Sequence, residues 1–140
     1  MKDIIVGIDR SVTARWAAET AASLAMAYDA NLHLVMCVSR TKPLDISVGT
    51  DQFHIDWLSE AEQFLDGLER ALPHGSVSRA VGLGEPAKML CEEAKRLEAR
   101  AIVVGNRRVQ GMSRMLGSVA GEVAKLAPCD VLVANTSGDE

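Results

Sequence analysis

Ile4-Ile5-Val6-Gly7-Ile8-Asp9-Arg10-Ser11 opens with five residues that carry no charge and no polar alternation, then turns abruptly polar. A short apolar run of this kind, rich in β-branched side chains, reads as a strand buried on both faces. Four further runs share its character: Leu32 to Val38, Val77 to Val81, Ala101 to Val104 and Val131 to Val133. Between them the period changes from continuous to helical. Ala14, Ala17, Ala18, Ala21, Ala25 and Tyr28 share one face of a first helix, with Ser11 as its expected N-cap. Trp57, Leu58, Ala61, Phe64, Leu65, Leu68 and Leu72 form the stripe of a second, which Pro73 ends. Pro86 suits the first turn of a third helix, with Ala87, Leu90, Ala94 and Leu97 facing inward. A fourth follows Gly117-Ser118, with Leu116, Val119, Ala120, Val123 and Ala127 inward and Pro128 closing it.

Strand and helix alternating four times, with a final strand, predict an α/β fold: a doubly wound, five-stranded parallel sheet with helices on both faces. The chain of 140 residues fits one domain over 1–135, with 136–140 as a frayed tail. Arg40 to Asp51 holds Pro43 and Gly49 and shows no clear period, which predicts a long surface loop.

Composition narrows the function. Fifteen basic and 19 acidic residues give a net charge of −4, without a Lys/Arg block suited to nucleic acid or an anionic membrane. No apolar run is long enough for a signal-peptide core or a membrane span. Cys37, Cys91 and Cys129 are odd in number, lack CxxC spacing and sit among apolar neighbours, so a reducing cytoplasm is expected. His33, His54 and His74 show no metal-ligand spacing and read as core or surface residues.

In an open parallel sheet, ligands bind beyond the carboxyl ends of the strands, where connections diverge. Two stretches stand out there: Gly7-Ile8-Asp9-Arg10-Ser11 after the first strand, and Gly105 to Val119 after the fourth. Gly105 would let the chain turn off the strand, and Gly117 would let backbone approach a ligand. Ser118 and Val119 would present free N–H groups at a helix amino terminus, a ready anion site. Arg107 and Arg108 would make charge-assisted bonds to phosphate oxygens. The same residues also fit a glycine-rich connection with solvated arginines. Asp9 has no sequence neighbour resembling a partner base or nucleophile, so catalysis is not expected.

These stretches, together with Gly84-Glu85-Pro86-Ala87, Leu116-Gly117-Ser118-Val119-Ala120 and Ala127-Pro128-Cys129-Asp130-Val131-Leu132-Val133, resemble the universal stress protein (UspA-like) family from end to end. The resemblance implies strand order 3-2-1-4-5, which brings Asp9 and Gly105 to opposite sides of one crevice between the first and fourth strands. It implies a stress-response protein binding ATP or another adenine nucleotide, with Mg2+ bridging phosphates, and not an enzyme. Asp9 and the backbone of Val38 would contact the adenosine, with Gly7 and Ile8 also among the nucleotide-binding residues. Gly105, Arg107, Gly117, Ser118 and Val119 would surround the phosphates. It also implies a homodimer paired through the last strand. The family's nucleotide motif is glycine, two residues, glycine, nine residues, then glycine and serine or threonine. Here Arg108 stands at the second glycine and the following spacer is one residue short. Members that bind no nucleotide and act through dimerisation and partner contacts are the alternative; a slow nucleotide hydrolase or transferase is a more distant one.

Overall fold

The computed structural model describes residues 2–11, 13–38, 44–106 and 117–136. Five strands, β1 (Asp3–Ile8), β2 (Asn31–Val38), β5 (Val77–Leu83), β6 (Ala101–Asn106) and β7 (Asp130–Asn135), form one parallel sheet in the order β5-β2-β1-β6-β7. Counting only these five, the order is 3-2-1-4-5, as the resemblance implies. Four helices connect them: α1 (Ala14–Tyr28), α2 (Trp57–Ala71), α3 (Pro86–Leu97) and α4 (Ser118–Leu126).

Alternation along the central strands divides the core into two layers, because successive side chains leave opposite faces of a strand. Ile4, Val6, Ile8, Leu32, Leu34 and Val103 pack on the side covered by α1 and α2. Ile5, Val35, Ile102 and Val104 pack on the other side, against Leu90 and Ala94 of α3 and Ala120 and Val123 of α4. The buried residues of α1 are all alanine, Ala14, Ala17, Ala18, Ala21, Ala22 and Ala25, with Leu24 packed partly buried beside them. Small side chains let that helix lie close over the sheet. Tyr28, expected on the same face, is exposed instead, and the Arg100 guanidinium lies 4.5 Å from its ring centre.

Two local expectations change. The N-cap of α1 is Thr13, whose Oγ1 is 2.9 Å from the Ser11 hydroxyl, so the helix starts later than Ser11 would set it. Within 40–51, expected to be an irregular loop, the chain forms β3 (Leu44–Val48), which pairs antiparallel with β4 (Asp51–Ile55). Leu44-Asp45-Ile46-Ser47-Val48 alternates with period two, and Gly49 takes a positive φ of 63° at the first turn position. That conformation matches the turns that suit the twist of a tight hairpin. Pro43 and the shortness of the alternation hide this strand in the sequence.

A polar group is built into the α3 side of the sheet. His33 is 5% exposed; its Nε2 is 2.9 Å from Glu93 Oε1 and its Nδ1 is 2.6 Å from Ser78 Oγ. Arg96 donates to both oxygens of Glu93, at 3.0 and 2.8 Å. The Arg96 hydrogen bonds, joined by that of His33, hold the Glu93 carboxyl below the usual carboxylate range despite partial burial. A carboxyl depressed in the folded state stabilises the protein at any pH above its unfolded value, roughly 4.3. That contribution disappears as pH falls through the lower folded value. Wild type should therefore exceed Glu93→Gln in melting temperature at pH 7, and the gap should narrow steadily below about pH 4.3. A gap that stays constant across that range in scanning calorimetry would rule this out.

Candidate functional site

The sheet order reverses between β1 and β6, since β1 leads outward to β2 while β6 leads outward to β7. Their carboxyl ends open a crevice of about 260 Å³, the position where doubly wound folds hold ligands. Gly7, Ile8 and Asp9 line it from β1, Gly105 from β6, and Gly117, Ser118 and Val119 from the start of α4. Seven of the residues picked out in the sequence thus meet around one space, though they come from three separate stretches.

Different parts of the wall have different chemistry. Val35, Pro86, Leu90 and Val104 give an apolar side. The α4 end is polar: Gly117 is the N-cap and supplies no side-chain bond, so the first N–H groups of the helix receive none from it. A helix start carries roughly half a positive charge and favours anions. Asp9 Oδ1 accepts the Ser11 N–H at 2.9 Å, which folds the chain from β1 toward α1 and fixes the carboxylate at the rim.

The glycines act through space rather than backbone freedom. Gly105 lies inside β6 and does not turn the chain, contrary to the role expected for it. A Cβ there would sit 3.1 Å from Thr136 Cγ2, and one on Gly7 would sit 2.9 Å from Leu90 Cδ1. Gly117 is likewise in an extended conformation, with φ −65°.

Other expected residues fall elsewhere. Val38 is not in the crevice wall; its carbonyl accepts the Gly84 N–H at 3.4 Å and its side chain packs against the α1–α2 layer. Cys37, one residue earlier, takes the wall position and donates its thiol to the Gly84 carbonyl at 3.0 Å. Burial pushes that thiol above its ordinary pKa. Arg107 and Arg108 lie outside the described residues. Thr136, placed at the head of the tail by its polar sequence, is 5% exposed, lines the crevice and donates to the Asn106 carbonyl at 3.0 Å. Nothing in Thr136-Ser137-Gly138 distinguishes that threonine; its role comes from the pairing of β7 with β6.

Fold and crevice define a doubly wound α/β protein with an open crevice at the switch point. Residues 1–135 match the model of the universal stress protein family, and the chain belongs to that family. A protein of Staphylococcus aureus (strain USA300) named as a universal stress protein is 28% identical, over 96% of this chain and 84% of its own. The crystal structure of a universal stress protein in complex with cAMP is 25% identical with a TM-score of 0.72, covering 97% of this chain and 98% of that one. A universal stress protein from Archaeoglobus fulgidus in complex with dAMP has 20% identity and a TM-score of 0.69, covering 96% and 98%. Among the described residues no helix is long and apolar enough to cross a membrane.

Proposed function

We propose that the crevice binds an adenine nucleotide, ATP above all, and that the protein acts in the cytoplasmic stress response by binding rather than by turnover. The observation that carries this reading is the convergence of an apolar wall with the uncapped start of α4 in one crevice. The base and ribose would occupy the side of Val35, Pro86 and Leu90, with Asp9 toward the ribose. The phosphates would lie toward Gly105, Gly117, Ser118 and Val119, where backbone N–H groups and the helix dipole favour them. The cAMP complex of a 25% identical relative supports the ligand class. Mg2+ commonly binds through one or two carboxylates plus substrate phosphates. Asp9, the one carboxylate among the described lining residues, is placed toward the ribose in this reading, so Mg2+ would be held by the phosphates.

Arg107 and Arg108 set the test. Hydrogen bonds to charged groups contribute roughly 1.5–3 kcal/mol, so losing one weakens binding about tenfold or more. In calorimetric titrations, Arg107→Ala and Arg108→Ala should lose affinity for ATP while adenosine binding changes little. The opposite reading makes Arg108 a plug in the space left by the family's second glycine. Tighter ATP binding by Arg108→Gly than by wild type would establish the plug and refute phosphate binding by that arginine.

The last strand supplies the partner in this reading. β7 is an edge of the sheet and Leu132 on it is 39% exposed. An apolar edge invites pairing, and a two-fold pairing of like strands closes on itself. Light scattering at micromolar concentration should give a dimer, and Leu132→Lys should shift it to monomer. A wild-type monomer defeats this part.

A further inference from the structure

The polar group around His33 is directional. Ser76 Oγ donates to Asn31 Oδ1 at 2.7 Å, and Asn31 Nδ2 donates to Asp3 Oδ2 at 2.9 Å and to Ser78 Oγ at 3.0 Å. The Glu93 carboxylate only accepts, so His33 Nε2 must carry its hydrogen toward it. In the neutral imidazole Nδ1 is then bare, and the 2.6 Å contact is Ser78 O–H donating to it. Hydroxyl, imidazole and carboxylate therefore stand in line, the arrangement by which a base activates a serine and a third group orients the base. The base is buried, whereas Ser78 is exposed on β5, at the opposite edge of the sheet from β7. The hydroxyl that satisfies the buried imidazole thus belongs to a residue that solvent reaches.

We propose that Ser78 is a nucleophilic serine that accepts an acyl group from an activated acyl donor, with His33 as its base and Glu93 as the positioning carboxylate. Ser78 Oγ attacks the acyl carbon while its proton passes to His33 Nδ1. The carbon–leaving-group bond then breaks; a basic leaving group takes that proton from His33, whereas a weakly basic one departs as an anion and His33 releases the proton to water. The product is an ester on Ser78, and Glu93, held by Arg96, balances the transient imidazolium. Chemistry at this site is independent of the nucleotide crevice, which lies at the carboxyl ends of the strands.

p-Nitrophenyl acetate is the probe. The full chain, incubated with it and mapped by peptide mass spectrometry, should carry acetyl on Ser78. Ser78→Ala, which also removes the partner of the buried His33 Nδ1, should abolish that adduct, while ATP titration as in wild type shows that the variant is folded. His33→Gln should slow labelling about 10²-fold, the lower end of what a general base contributes. Glu93→Gln should slow it too while keeping the shape of the site. Nitrogen-15 NMR of the unreacted wild type gives a second readout that needs no variant: neutral His33 should carry its proton on Nε2. A proton on Nδ1 would make His33 a donor to Ser78 and overturn the proposal, as would acetylation confined to lysines.

Discussion

Ile102→Ala should lower the unfolding free energy by about 2–5 kcal/mol, the usual cost of removing a buried aliphatic side chain and leaving part of its space empty. Ile102 is fully buried as the second residue of β6, level with Ile5 on one side and Val131 on the other. It packs in the layer with Leu90 and Ala94 of α3 and Val123 of α4, so its removal opens a hole under both helices. Neighbouring β strands are fixed by the sheet register and cannot close that hole. Domains of this kind have roughly 5–15 kcal/mol in total, so the loss is a large share of it. Leu126→Ala is the control: Leu126 is 60% exposed at the end of α4, and exposed substitutions usually stay within about 0.5 kcal/mol. Urea unfolding of the two variants with a shared slope separates them. Equal midpoints would mean that the α3–α4 layer does not carry the stability its burial implies.

The fold was legible in the sequence because burial on both faces leaves a plain mark. Ile4 to Ile8 and Ala101 to Val104 have almost no polar residues to interrupt them, and both are central strands. β3 was hidden for the opposite reason. Ile46 and Val48 alternate with Asp45 and Ser47 in a hairpin outside the main sheet, and both apolar residues are exposed. The crevice could be located through the family resemblance, which implies the strand order and with it the switch point beside Asp9 and Gly105. Its back wall could not. Cys37 lines the crevice in place of Val38 because the two residues face opposite sides of β2, and a continuous apolar run gives no hint which side is which. Ser78, His33 and Glu93 meet through the pairing of β2 with β5 and the packing of α3, from positions with no shared motif. Only tertiary structure brings such residues together.

Gly105→Val should both destabilise the chain and weaken ATP binding at least tenfold, and the cause is Thr136. A Cβ on Gly105 would lie 3.1 Å from Thr136 Cγ2 and 3.4 Å from its Oγ1, closer than most such contacts. Thr136 has little room to retreat, being 5% exposed and tied through Oγ1 to the Asn106 carbonyl. Forcing extra atoms into a packed site typically costs about 1–3 kcal/mol. Valine adds two methyls beyond the Cβ, beside the crevice that Gly105 and Thr136 both line. The milder Gly105→Ala isolates the contact. Combined with Thr136→Ser, which deletes Cγ2 and keeps the hydroxyl bond, it should recover most of the stability lost by Gly105→Ala alone. Non-additivity of that kind is the mark of two groups in direct contact. Melting curves give the stability terms and calorimetric titration with ATP gives the affinities. If Gly105→Ala melts as wild type and the serine change adds its own effect independently, Thr136 does not set the need for glycine at this position.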